Sequence, residues 1–189
     1  MAELRVKKVN DFAAELSVPG DKSISHRALM FAALSNGPCE ITGFLSSEDC
    51  LATMHALTAM GVEIESLGDD GTHIRVHGCC GKFKDPGKPI DCGNSGTTMR
   101  LLAGILASQP FATTLTGDES LSKRPMNRIA LPLEKMGAKI EGQGECCTPP
   151  LTITGSPKLT PIDYKSPVAS AQIKSAIMLA ALPPRGNPP

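Results

Sequence analysis

The stretch Pro19-Gly20-Asp21-Lys22-Ser23-Ile24-Ser25-His26-Arg27-Ala28-Leu29 gathers residues that bind anions at a spacing that lets them act together. A Pro-Gly turn runs through small polar residues into an Ala/Leu/Met-rich segment ending near Ser35-Asn36-Gly37. That pattern predicts a loop feeding a helix, with Ser23 or Ser25 as N-cap and Gly37-Pro38 as the stop. At 3.6 residues per turn Ser23 and Arg27 share a face, with Lys22 beside them at the mouth. Ile24, Ala28 and Phe31 lie on another face that can be buried. A helix start offers unpaired N–H groups and partial positive charge, so Lys, Ser and Arg placed there make an anion pocket. A capped surface helix with two solvated cations fits the same residues. The motif is not a P-loop: Asp21 separates Gly20 from Lys22, and no glycine sits at the required upstream position.

The elements that must position such a pocket fit within 189 residues, enough for one domain or one and a half. Lysine plus arginine equals aspartate plus glutamate at 19 each, so any anion affinity is local and no global field draws nucleic acid or membrane. Aromatics are 3% with no Trp, which argues against a base-stacking surface. The first residues lack an apolar h-region, and the apolar segment Val168 to Leu182 is too short to span a bilayer, so a cytoplasmic chain is expected. Seven cysteines then read as reduced thiols. His73, His77, Cys79 and Cys80 could be drawn together as metal ligands, but their spacing fits no common site and the segment alternates as a strand.

Along the chain, Leu4–Val6 and Glu15–Val18 look like short strands. After the opening helix come a strand at Cys39–Gly43, a helix from Ser47 to Met60, and strands at Val62–Glu65 and Thr72–His77. Residues 81–89 form a Lys/Gly/Pro-rich loop. The order then recurs: a helix from Asn94-Ser95-Gly96 through Leu106, a strand at Phe111–Thr116, a helix at Asn127–Met136, and strands at Lys139–Glu141 and Leu151–Thr154. Arg27 to Arg100 is 73 residues, Ile41-Thr-Gly43 to Leu115-Thr-Gly117 is 74, Met60-Gly to Met136-Gly is 76, and Gly78 to Gly155 is 77. So small a drift, in one direction, points to a duplicated unit over 25–78 and 97–155. A third copy opens as a helix over 166–182 and is expected to stop there, because four prolines in residues 183–189 cannot continue a helix. Without following strands, Ile173, Ile177 and Leu179 are expected to stay partly exposed.

Three helices in matching positions therefore begin with small polar residues: Lys22-Ser23, Asn94-Ser95-Gly96-Thr97 and Ser170-Ala171-Gln172. Packed around a common axis, their N-termini converge. Arg27, Arg100 and Arg124 would then line a polycationic cleft suited to a small ligand carrying phosphate and carboxylate, which Arg grips through paired hydrogen bonds.

Four stretches resemble the 5-enolpyruvylshikimate-3-phosphate synthase (3-phosphoshikimate 1-carboxyvinyltransferase) family. They are residues 19–29, Gly-Asn-Ser-Gly-Thr-Thr-Met-Arg-Leu-Leu at 93–102, Thr-Gly-Asp-Glu-Ser-Leu-Ser-Lys-Arg-Pro-Met at 116–126, and Ser-Ala-Gln-Ile-Lys-Ser-Ala at 170–176. The resemblance runs from near residue 1 to about 182. It implies an α/β fold of βαβαββ units with helices buried and sheets outward, three units to a domain, truncated here in the third. Residues 19–182 would be an incomplete domain, residues 1–18 strands belonging to a second domain, and residues 183–189 a Pro-rich tail. The implied activity is transfer of the enolpyruvyl group of phosphoenolpyruvate to the 5-hydroxyl of shikimate 3-phosphate, on the route to chorismate. It implies no metal or organic cofactor, and a monomer when complete.

Carried over residue by residue, the resemblance gives Lys22, Ser23, Arg27, Ser170, Ala171 and Gln172 to shikimate 3-phosphate. It gives Lys22, Asn94, Gly96, Arg124 and Gln172 to phosphoenolpyruvate, with Lys22 as the proton carrier. The herbicide glyphosate would occupy the phosphoenolpyruvate site, against Gly96. Family members are more than twice this length, and the acidic residues that move protons lie in the part not present here. Two other readings remain beside it: a ligand-binding fragment that complements a second chain, and a relative of the enzyme acting on a UDP-sugar. The latter carries a catalytic-loop cysteine motif that this chain does not show.

Overall fold

A computed structural model describes residues 3–11 and 13–182. Two runs of the same elements follow one another. The first is α1 (Lys22–Leu34), β1 (Pro38–Ile41), α2 (Glu48–Ala59), β2 (Glu63–Ser66) and β3 (Ile74–His77). The second is β4 (Ile90–Asp91), α3 (Gly96–Ala107), β5 (Ala112–Thr116), a 3-10 turn at Leu121–Lys123, α4 (Asn127–Lys135), β6 (Lys139–Gln143) and β7 (Thr148–Thr154), and α5 (Ala171–Ala180) comes last. The sheets are ordered β1-β3-β2 and β4-β5-β7-β6, with β4 and β5 parallel and the other pairs antiparallel. The two-residue strand β4 lies just past the predicted loop; at that length it carries no alternation to read.

Helices lie inside and sheets outside. The helix α3 is the centre: Met99, Leu101, Leu102, Ala103, Ile105, Leu106 and Ala107 are all buried, leaving it no solvent-facing stripe. On the strands, Ile74 and Val76 turn inward while Arg75 and His77 turn out, and Leu115, Leu151 and Ile153 do the same for the second sheet. Gly104 lets α5 approach: a side chain there would overlap the backbone of Ala176. That seat buries Ile173 and Leu179 to 2% exposure, against expectation, because α3 and α4 supply the cover; Ile177 is half-buried and Met178 is left outside.

Other expectations change too. Residues 3–11 and 13–20 form no strand, and Leu4, Val6, Leu16 and Val18 are exposed, since no neighbouring strand takes their backbone groups. Asp21, not Ser23 or Ser25, caps α1, its Oδ1 accepting from the Ile24 N–H at 2.8 Å. Ser25 Oγ instead accepts from the Leu45 N–H. Ser35 closes the helix, and Pro38 already belongs to β1. The buried face of α1 is Ser25, His26, Leu29, Met30, Ala32 and Ala33, while Ile24 and Phe31 face solvent. The error lies in choosing the wrong stripe of a helix whose apolar residues go most of the way round. The helix α5 starts at Ala171 rather than 166, capped by Ser170, whose Oγ accepts from the Ile173 N–H. Residues 183–189, the predicted tail, lie outside the described residues.

Candidate anion-binding site

The starts of α1, α3 and α5 and the segment past β5 contribute the parts of a cationic cluster. On α1, Lys22 pairs with Asp49 in the first turn of α2. Arg27, one turn on, donates from Nη1 to the Ser23 carbonyl at 3.0 Å and from Nη2 to Ser175 Oγ on α5 at 2.8 Å. On α3, Arg100 donates to Gln172 Oε1 at 3.0 Å, and Gln172 donates through Nε2 to Thr97 Oγ1 at 3.0 Å. Gln172 thus ties the start of α5 to the start of α3. Past β5, Arg124 donates to Asn94 Oδ1 at 2.6 Å, to the Asn94 carbonyl and to Ser120 Oγ. Asn94 in turn donates to Asp118 Oδ2 at 2.6 Å, which helps hold the Asp118 carboxyl below its ordinary range.

Gly96 sits between two of these cations. A Cβ there would lie 2.9 Å from Arg100 Nη1 and 3.2 Å from Arg124 Nη1. The absent side chain leaves backbone and two guanidiniums facing the same space.

Among the described residues, Lys22 alone of these four cations has a carboxylate oxygen within 4.0 Å. Arg27, Arg100 and Arg124 are held by carbonyl, amide and hydroxyl oxygens, which orient the guanidiniums without a direct ion pair. Arg100 registers the crowding. Burial, then the charges of Arg124 and Arg128, lower its pKa from the usual guanidinium value. An anion placed among them would relieve that repulsion.

The predicted residues thus fall into two groups. Lys22, Ser23 and Arg27 share the start of α1, with Ser175 reaching Arg27 from α5. Asn94, Gly96, Arg124 and Gln172 meet around the start of α3, and Ser170 and Ala171 form the cap and first residue of α5. Sequence reasoning missed Asp49, Thr97, Asp118, Ser120 and Ser175 as partners. Asp118 and Ser120 stood within the quoted 116–126 motif, and Ser175 within 170–176; Asp49 carried no signal beyond its helix-start position.

His73, His77, Cys79 and Cys80 do not converge on one point. Cys79 Sγ turns to the Ala33 carbonyl, Cys80 Sγ to Asn36, and His77 lies 3.1 Å from Glu65. Glu63, Glu65 and His77 do gather within 4.8 Å on the outer sheet face, beside Arg75, which shares the Glu40 and Glu65 carboxylates. No helix among the described residues is long and apolar enough to cross a membrane.

The family model for EPSP synthase (3-phosphoshikimate 1-carboxyvinyltransferase) matches residues 6–187. The chain belongs to the EPSP synthase family. It is 52% identical over 173 residues to a 3-phosphoshikimate 1-carboxyvinyltransferase of Streptococcus gordonii strain Challis, covering 91% of this chain and 40% of that protein. It is 56% identical over 172 residues to the one from Lactococcus lactis subsp. cremoris strain SK11, covering 90% and 39%. The solved EPSP synthase from Acinetobacter baumannii superposes with a TM-score of 0.83 at 52% identity, over 87% of this chain and 37% of that one. The chain therefore spans about 40% of the length of the curated relatives it matches. The match to a solved EPSP synthase bears out the α/β fold that the resemblance implies.

Proposed function

We propose that this chain forms one wall of an enolpyruvyl transferase site, in which the enolpyruvyl group of phosphoenolpyruvate passes to the 5-hydroxyl of shikimate 3-phosphate and phosphate is released. The observation that carries this reading is the set of three guanidiniums oriented by neutral oxygens, two of them lying against the side-chain-free backbone of Gly96. Arg27, Ser23, Ser170, Ala171 and Gln172 would hold the shikimate phosphate and ring. Arg124, Asn94, Gly96 and Gln172 would hold phosphoenolpyruvate. Lys22 would touch both, and its pairing with Asp49 gives its ammonium a fixed position and a nearby carboxylate. The transfer first adds the 5-hydroxyl across the C=C of the enol phosphate, one group giving a proton to the methylene carbon while another takes the hydroxyl proton; the C–O bond to phosphate then breaks as the new methyl group gives a proton back and the C=C reforms. Lys22 supplies one such carrier.

The test joins this chain to the remaining part of the Streptococcus gordonii relative and measures phosphate release from the two substrates. Release by the folded chimera, abolished by Lys22→Met, supports the reading. A folded chimera that releases none contradicts it.

A further inference from the structure

Beneath the cation cluster runs one buried chain of polar side chains. His26, Thr53, Ser95 and Thr98 are each 0–1% exposed. His26 Nδ1 lies 2.7 Å from Thr53 Oγ1, and Thr53 Oγ1 lies 2.7 Å from Thr98 Oγ1. Thr98 Oγ1 in turn lies 3.2 Å from the Asp49 carbonyl and 2.8 Å from Ser95 Oγ. The carbonyl can only accept, which orients the whole series: Thr98 donates onward and accepts from Thr53, and Thr53 accepts from an Nδ1–H on His26. The reverse direction would put the ring proton on Nε2, which is buried and has no hydrogen-bond partner among the described residues. A buried orphan N–H is rarer and costlier than an unused lone pair.

The ends of this series are informative. His26 lies one helical turn beyond Lys22 on α1. Thr53 lies one turn beyond Asp49, the partner of Lys22, on α2. Ser95 and Thr98 flank Gly96, and Ser95 Oγ caps α3 by accepting from the Thr98 N–H. We propose that His26 is a positioning residue. As a neutral Nδ1–H donor it locks the starts of α1, α2 and α3 together and so sets the spacing between Lys22 and the cations around Gly96. The consequence for ligand affinity rests on the function proposed above; the tautomer and the helix registration do not. The ring is kept neutral by burial and, from its own helix, by the charges of Lys22 and Arg27, with Asp49 on α2 acting the other way. Together these lower its pKa to about 4.

Nitrogen-15 NMR of the ring in the 189-residue chain tests the first half. The expected spectrum has a protonated Nδ1 and a bare Nε2, unchanged from about pH 5.5 to 8. The Nε2–H tautomer, or an imidazolium in that range, overturns the proposal.

The second half compares His26→Asn with His26→Leu. The Asn amide can stand in for Nδ1 and donate to Thr53; Leu cannot. Thr53→Val, which cuts the same link at similar volume, replaces His26→Leu if that variant fails to fold. Expected are shikimate 3-phosphate affinity within about twofold of the parent for Asn and about tenfold weaker for the folded variant lacking the link. Amide exchange at Thr98 and Met99 should be faster in the latter only. Parent-like affinity and exchange in that variant overturn the positioning role. If the parent chain binds no shikimate 3-phosphate, the proposed function fails, and tautomer and exchange alone decide the relay.

Discussion

At the residue scale, what could be read in the sequence was the set of cations and the glycine, because their motifs are contiguous. Lys22, Ser23 and Arg27 lie within one turn and a half of one helix, so spacing alone puts them together. Their partners come from distant segments: Asp49 from α2, Ser175 from α5, and Asp118 for Asn94 from beyond β5. No local pattern announces such pairings. Gly96 gives a clean test. An added methyl there would meet the far ends of two flexible arginines, not backbone, and Ala favours helix over Gly by up to about 1 kcal/mol. Gly96→Ala should therefore keep or slightly raise stability in denaturant unfolding while weakening phosphoenolpyruvate binding; loss of stability with unchanged binding would remove Gly96 from the site. Arg124 is held by Asn94 and Ser120, and Arg27 by Ser23 and Ser175. Arg124→Ala should accordingly weaken phosphoenolpyruvate binding about tenfold or more by calorimetry and leave shikimate 3-phosphate within about twofold, a separation charge-assisted bonds can supply. Equal losses would merge the two subsites.

At the element scale, the repeat was legible because a helix-strand-helix-strand-strand order copied at offsets of 73–77 residues leaves a count that chance does not. What escaped was orientation. The apolar residues of α1 go round most of the helix, so periodicity could not choose between the stripe that is buried and the one holding Ile24 and Phe31. The burial of α5 escaped because it depends on the absent side chain of Gly104 two helices earlier. Gly104→Ala would force backbone apart at Ala176, where no flexible end can yield. It should cost about 1–3 kcal/mol in denaturant unfolding; a variant as stable as the parent would mean α5 does not seat there. The registration of α1, α2 and α3 through His26 carries a pH signature. Its folded pKa, lowered from 6.5 to about 4, means the unfolded chain binds the proton first. Stability from neutral His26 is fully present above pH 6.5 and is lost as pH falls towards about 4. Thermal unfolding should show that decline in the parent and a shallower one in His26→Asn. Identical profiles would show that the ring is not buried neutral.

At the scale of the whole molecule, a chain with 19 cations and 19 anionic residues gathers three guanidiniums held by neutral oxygens near the starts of its helices. Its outer sheet faces pair charges instead, as Arg75 does with Glu40. Positioning chemistry of this kind depends on groups converging from all sides of a water-excluding site. The chain spans about 40% of the length of the curated relatives it matches; if it forms one such side, as proposed, then purified alone it should release no phosphate from the two substrates above a heat-killed control. Turnover would require the acid and base to lie within these 189 residues. Binding asks less than turnover, because it needs only the cations of this one chain. Shikimate 3-phosphate should be titrated into the nitrogen-15-labelled chain and its amide resonances followed. Saturable shifts are expected at Ser23–Arg27 and Ser170–Gln172, lost in Arg27→Ala. No saturable shift, or shifts confined to the outer sheet faces, would contradict the proposed site.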